Sequence, residues 1–392
     1  MTAAEAPINE SMNPSGDEIA QETLDSNDTI NNDTSNKSHP THKNNPLWLL
    51  VLNSYSTVVV FVRHLFSIES FVGLALSVII TVYLYEKTDP ESFDGAALDW
   101  VLLTFAVVTP ITSAIGMAFQ RREKALQTVA ALRATAIELY GAHASWGYDI
   151  PNSSSSSSDK IDRRKHSDEV LQLLLTFFCQ LTRYLTMPNF SRARHKVSRL
   201  GEQEVAEVLS VCTGLEQEMM ADMGKLSGFC EKLKSEGLLP QEAIRIRQWE
   251  RIILTEMEHA RMIKCYRTPQ GLRSFGRLFS VFLPPFYSPY SVQIGRDMNS
   301  LGYAIAFACC TSIALTSLFE LVSQMEDPFV IPVRLDGIHM DSELLSNFLP
   351  RALRTRKEIF PRAPSFVLDS ATLEFMDSIR IHHVLGTELL AD

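Results

Sequence analysis

Apolar residues collect into four blocks of this chain, near residues 47 to 85, 98 to 119, 278 to 290 and 301 to 323, and the sequence between them is charged and ordinary. A bilayer core is crossed by about twenty helical residues. The first block is longer than that and carries Arg63, His64 and Glu69, so it reads as a lead helix over 47–66 followed by a span over 67–86. The lead stretch also contains Asn53, Ser54 and Tyr55, a mixture suited to a membrane surface or a protein interior. Further spans are predicted over 98–119, 275–291 and 301–323. The third of the four is short and broken by Pro284, Pro285 and Pro289.

Charge orients these blocks. The second span follows the acidic turn EKTDPESFDGAALD and ends on Gln120-Arg121-Arg122-Glu123-Lys124, while Lys264, Arg267, Arg273 and Arg277 precede the third. Basic flanks stay cytosolic, so four crossings with both termini inside satisfy every flank. Between the second and third spans, apolar positions recur three and four apart over Gln127–His143 and Val205–Leu238, the helical signature. Helices are also predicted from Asp168 to Met187 and from Gln241 to about Tyr266, the latter opened by Pro240. The serine-rich, then basic, stretch 150–167 reads as a mobile loop. Residues 1–46 lack aromatics and are rich in Asn, Ser, Thr and acids, the composition of a disordered tail. No secretory or transit signal is expected there. The fold class is therefore all-α: an integral membrane protein with four transmembrane helices and an extended cytosolic helical bundle over 120–268. A core domain spans 47–348, and 349–392 form a cytosolic C-terminal tail.

Composition narrows the function. The formal net charge of −10 disfavours nucleic-acid binding, which depends on basic surface. The six cysteines have no CxxC spacing, so neither a disulfide framework nor a zinc site is indicated. Glycine-rich phosphate loops, GxSxG and HExxH are absent; Glu258-His259 has no second histidine at the required spacing, and His382-His383 has no acidic or thiol partners nearby in sequence. An enzyme is not expected.

Two elements carry chemistry. Phe105, Thr109 and Ser113 are four apart in the second span and share a helical face. Around an axis of identical subunits, that face offers aromatic edges and hydroxyl donors to an anion. Small and hydroxylated residues also serve to pack helices closely, with Pro110 as a tolerated kink. At the end of the fourth span, Glu326 and Asp327, followed by Asp336, place carboxylates at the cytosolic boundary. Oxygen clusters suit calcium, and carboxylates at such a boundary are otherwise solvated or paired with cations, for which the basic stretch Arg351–Arg362 is a candidate. That stretch could equally touch anionic lipid.

Three segments together resemble the bestrophin and bestrophin-like membrane proteins: SAIGMAFQRREKALQTVAALRATAIELYGAH, RTPQGLRSFGRLFSVFLPPFYSPY and LTSLFELVSQMEDPFVIPVRLDGIHMDSELL. The resemblance covers residues 47 to 348 and implies a homo-pentameric channel for chloride or bicarbonate, with the second spans lining a hydrophobic neck. With Arg121 at the arginine that follows the family's pore helix, the neck falls on Phe105, Thr109 and Ser113. The two hydroxyl residues depart from the family's apolar neck and imply a wetter constriction. Val330–Val333 replace the dense acidic run of the calcium-regulated members, leaving constitutive or other gating open. A non-conducting membrane scaffold, its cytosolic helices binding partner proteins, is the reading from a different class.

Overall fold

The structure is a computed structural model that describes residues 46–62, 66–88, 100–146, 162–188, 198–329, 337–370 and 372–374. The tail before residue 46, most of the acidic turn, the serine run, Asp336 and His382-His383 lie outside the described residues. Contacts divide the chain into two units, Met1–Ser56 and Thr57–Asp392. The described part of the first is the start of helix α1 (Pro46–Val60), where Leu50, Val51, Leu52 and Tyr55 are exposed. The remaining architecture belongs to the second unit, whose described residues form helices joined by short connections, with no strand among them.

Helix α2 (Ile68–Lys87) starts where Ser67 and Ser70 form a reciprocal cap. Its buried positions are Ser70, Gly73, Ser77 and Thr81, whereas Phe71, Val72, Ile79 and Tyr83 are exposed. A helix built for water has the opposite arrangement. Small residues inside and apolar residues outside suit a lipid environment, where close backbone approach replaces hydrophobic burial as the packing force. Its partner, α9 (Leu301–Met325), buries Ala304, Ala308, Ser312 and Thr316 in the same manner. A Cβ at Gly73 would sit 3.5 Å from Ser312 Oγ and 3.7 Å from Thr316 Cγ2. Both helices are long and apolar enough to cross a bilayer, yet only 22% and 33% of their most apolar windows are buried.

The expected third span, 275–291, resolves into two helices, α7 (Gln270–Phe286) and α8 (Ser288–Asp297), hinged at Tyr287. Pro284 and Pro285 cannot donate to the preceding turn, and Pro289 opens α8 at a position where a missing N–H costs nothing. The turn from α8 into α9 is tight. Asn299 adopts a left-handed conformation (φ 48°), and a Cβ on Gly295 would lie 2.6 Å from Ala304 Cβ.

Helix α3 (Trp100–Ser145) runs for 46 residues, about 69 Å at helical rise, so the expected second span and the helix expected after it are one rod. Its N-terminal half joins Ile111 and Ala114 to Leu283, Tyr287, Leu315 and Val322 in a small apolar cluster. Its C-terminal half enters the main core with α4 (Arg163–Thr186), α5 (Arg199–Ser235), α6 (Pro240–Cys265) and α10 (Asn347–Ile359).

Two boundaries differ from the sequence reading. Asp162 caps α4 by accepting from the amides of Arg164 and Lys165, so residues 163–167, expected to continue a mobile loop, form its first turns. His166 and Ser167 are buried there. Residues 349–359, expected in a tail, belong to α10, which buries Phe348 and Ala352 and sets Phe348 edge-on to Phe178 at 5.1 Å. Arg356 closes the junction with Nε 2.6 Å from Asp168 Oδ1 and Nη2 2.9 Å from Oδ2. The basic stretch therefore partners α4, not the acidic exit of α9.

At the α3–α4 contact, His143 Nδ1 lies 3.1 Å from His166 Nε2, and Ser167 Oγ lies 3.2 Å from the Tyr140 hydroxyl. Burial and the neighbouring His166 push His143 down to about 3; burial and nearby Lys232 push His166 down to about 4. Both rings are neutral at pH 7.

Two outcomes follow from this packing. Gly295→Ala should lower thermal stability in mild detergent by about 1–3 kcal/mol through overpacking, whereas Gly214→Ala on open α5 surface should gain about 0.5–1 kcal/mol. Because folding lowers both histidine pKa values, the unfolded chain binds more protons below pH 6.5. Stability is complete above that pH and falls toward the folded values, by up to about 1.4 kcal/mol per pH unit per histidine. Denaturation between pH 7 and 5 should show this slope, and His143→Leu should flatten it.

Candidate functional site

The sequence places its chemistry at two points of the span region, and the structure treats them differently. On α3 the helical repeat puts Ile111, Ala114 and Ala118 inside, and the same repeat leaves Phe105, Thr109, Thr112, Ser113 and Gly116 on the outer side. Phe105 is 67% exposed. Thr112 returns its hydroxyl to the Val108 carbonyl at 2.8 Å. Phe105, Thr109 and Ser113 thus share one face, and that face is exposed and carries no packing partner among the described residues.

The acidic exit of α9 is buried. Asp327 Oδ2 lies 3.0 Å from Lys264 Nζ and 2.6 Å from Arg267 Nη2, while its Oδ1 accepts from the Phe329 amide at 3.3 Å. Glu326 accepts from the Thr268 hydroxyl and lies 3.2 Å from Arg273 Nη1. Arg121, at the end of the α3 span, donates both terminal nitrogens to the carbonyls of Ile263 and Tyr266, which close α6. These are orphan carbonyls of a helix C-terminus, which attract a cation.

Burial by itself would raise the Asp327 pKa, but Lys264 and Arg267 outweigh it and hold the carboxyl below its ordinary range. Lys264 shares that carboxylate with Arg267, and burial dominates its balance, lowering its pKa. Burial likewise lowers Arg121, against the attraction of Glu326 and Asp327. Four cations, Arg121, Lys264, Arg267 and Arg273, face two carboxylates, so the junction carries surplus positive charge.

Lys264, Arg267 and Arg273 enter the sequence reading only as topology markers. Their pairing was hidden because they lie at the junction of α6 and α7 while the acids follow α9. A signal did exist in a run of basic residues and an acidic doublet, each flanking an apolar block. Calcium fits poorly at Glu326 and Asp327. The ion takes six to eight oxygens, whereas these carboxylates are engaged by three cationic side chains, and no group of three or more acidic, histidine or cysteine ligands occurs among the described residues. Asp336 lies outside them.

Neither a protein-family model nor a curated protein sequence matches the chain. Solved structures do. A crystal structure of a membrane-protein point variant superposes with a TM-score of 0.52 at 13% identity, covering 74% of this chain and 97% of that one. Two point variants of a bacterial bestrophin homolog from Klebsiella pneumoniae each give 0.51. One is 14% identical and covers 73% of this chain and 97% of its own; the other is 13% identical and covers 75% and 98%. The chain has the fold of these bacterial bestrophin homolog structures.

Proposed function

We propose that this protein is an anion channel of the bestrophin kind, passing chloride or bicarbonate between the α3 helices of a homo-pentamer. In this reading α2, the first half of α3, the α7–α8 pair and α9 cross the bilayer, and both termini face the cytosol. The observation that carries it is the Phe105–Thr109–Ser113 face, left without a packing partner among the described residues on a helix whose other side buries Ile111, Ala114 and Ala118. In lipid such a face, with two hydroxyls, is better placed against water or ions than against acyl chains. Repeated around an axis, it supplies ring edges and O–H donors at the narrowest level. The surplus positive charge at the α3–α6–α9 junction adds an attractive potential for anions at the cytosolic end.

The acidic exit acts as a strap in this reading, not as a calcium sensor. Lys264 and Arg267 clamp Asp327, Arg273 clamps Glu326, and Arg121 fixes α3 to the end of α6, so the pore helix and the cytosolic body move as one piece. The hydroxyl-bearing neck implies a constriction that stays wet, unlike an apolar neck that gates by dewetting.

Chloride flux from liposomes containing the assembled protein tests the reading. Thr109→Val with Ser113→Ala should dry the constriction and reduce flux about tenfold, the effect of losing roughly 1.4 kcal/mol of ion stabilisation. Phe105→Ala should change selectivity among halides. An assembled oligomer that passes no anion, or a monomer in mild detergent, would sink the proposal. For the strap, Asp327→Asn should cost about 3–5 kcal/mol, because it leaves buried Lys264 and Arg267 uncompensated. Calcium should leave both flux and melting temperature unchanged, and a calcium-dependent rise in either would contradict the strap.

A further inference from the structure

On the side of α3 opposite the proposed pore face lies a cavity of about 430 Å³, walled by α3, α7 and α9. That size is in the range of small-molecule sites. Its lining is divided. Pro110, Ile111 and Ala114 of α3, with Leu272, Phe319 and Val322, form an apolar wall; arginines and carboxylates gather at the other side. Most of those charges are committed, Arg267 to Asp327 and Arg273 to Glu326.

Two charged groups keep capacity. Arg277 gives Nε and Nη2 to Glu69, its Nη1 makes no hydrogen bond among the described residues, and its side chain is 64% exposed. Glu320 makes no hydrogen bond or ion pair among the described residues, although it lies close enough to Arg277 to attract the guanidinium. An ionisable group near the end of an otherwise apolar helix is costly and calls for a partner. An anionic guest would satisfy Arg277 but face Glu320 as a like charge. A cationic guest would have the reverse fault. A guest carrying both charges satisfies both groups.

We propose that this cavity binds a phosphoethanolamine group, its phosphate on Arg277 Nη1 and its ammonium on Glu320, with any glycerol or acyl portion along Ile111, Leu272 and Phe319. Guanidinium is suited to phosphate and carboxylate to a primary ammonium. Glu69 lies in the first turn of α2, and Arg277 is the last charge before the apolar second half of α7, so the pair marks where apolar sequence gives way to charge, the depth of a phospholipid headgroup. The occupant would press on the back of α3 at Ile111 and Ala114, the reverse side of Thr109 and Ser113. Binding itself stands whether or not that face conducts.

The test uses the full-length oligomer in detergent, with melting temperature and native mass spectrometry as readouts. The probes are dihexanoyl phosphatidylethanolamine, dihexanoyl phosphatidylglycerol and free phosphoethanolamine. The ethanolamine lipid should bind about tenfold more tightly than the glycerol lipid and raise the melting temperature accordingly. Glu320→Gln and Arg277→Gln should each abolish that preference. Should Arg277→Gln fail to fold, Arg277→Lys keeps a charge for Glu69 while losing the free Nη1 donor, and should give the same loss. A matching shift with free phosphoethanolamine supports the site with a soluble ligand; a shift with the lipid alone supports it with the bilayer as source. Equal binding of the two lipids, or a preference that survives the substitutions at both Glu320 and Arg277, overturns the proposal.

Discussion

Lys264, Arg267 and Arg273 reach two carboxylates at the end of α9, and the arrangement of the helices follows from the demand that none of these charges be left alone. Glu326 and Asp327 are buried at the end of α9, and an isolated buried carboxylate would be intolerable. Satisfying them fixes the C-terminus of α6 and the N-terminus of α7 against the end of α9. Arg121 then caps the same end of α6 from α3. Helices α3, α6, α7 and α9 thereby share one electrostatic knot.

The second organising feature is the continuity of α3. A helix of this length has no internal hinge unless its hydrogen-bond ladder is interrupted, and Pro110 is the single proline within it. Above Arg121 the rod exposes its hydroxyl face; below, Leu132, Leu139 and Tyr140 are wholly buried in the main core. Movement of the body at the His143–His166 contact is therefore coupled to the span by a stiff element. The α2–α9 seam provides the fixed frame against which such a rod could shift, since its small residues leave little room for sliding.

Element positions were largely legible. The span over 67–86 became α2 (Ile68–Lys87), that over 301–323 became α9 (Leu301–Met325), and Pro240 opens α6 as its chemistry requires. Local signals suffice for such helices, because caps, prolines and apolar length act within a few residues. The misreadings share a cause. Residues 163–167 resembled a basic loop and residues 349–359 a basic tail, but Asp168 and Arg356, far apart in sequence, neutralise each other. Phe348 likewise finds its place only against Phe178. A long-range pair leaves no local trace.

The candidate site divides along the same line. By itself the sequence determined that Phe105, Thr109 and Ser113 share a face, because helical periodicity is a local property of the backbone, and that apolar helices flank a charged helical body. Only the tertiary structure decided that this face is the one left unpacked, that Glu326 and Asp327 are buried and matched to Lys264, Arg267 and Arg273, and that Glu320 and Arg277 meet at a cavity behind α3. Each of those outcomes depends on which distant side chains a group meets, and burial makes that choice decisive by removing the water that would otherwise serve as partner to any of them.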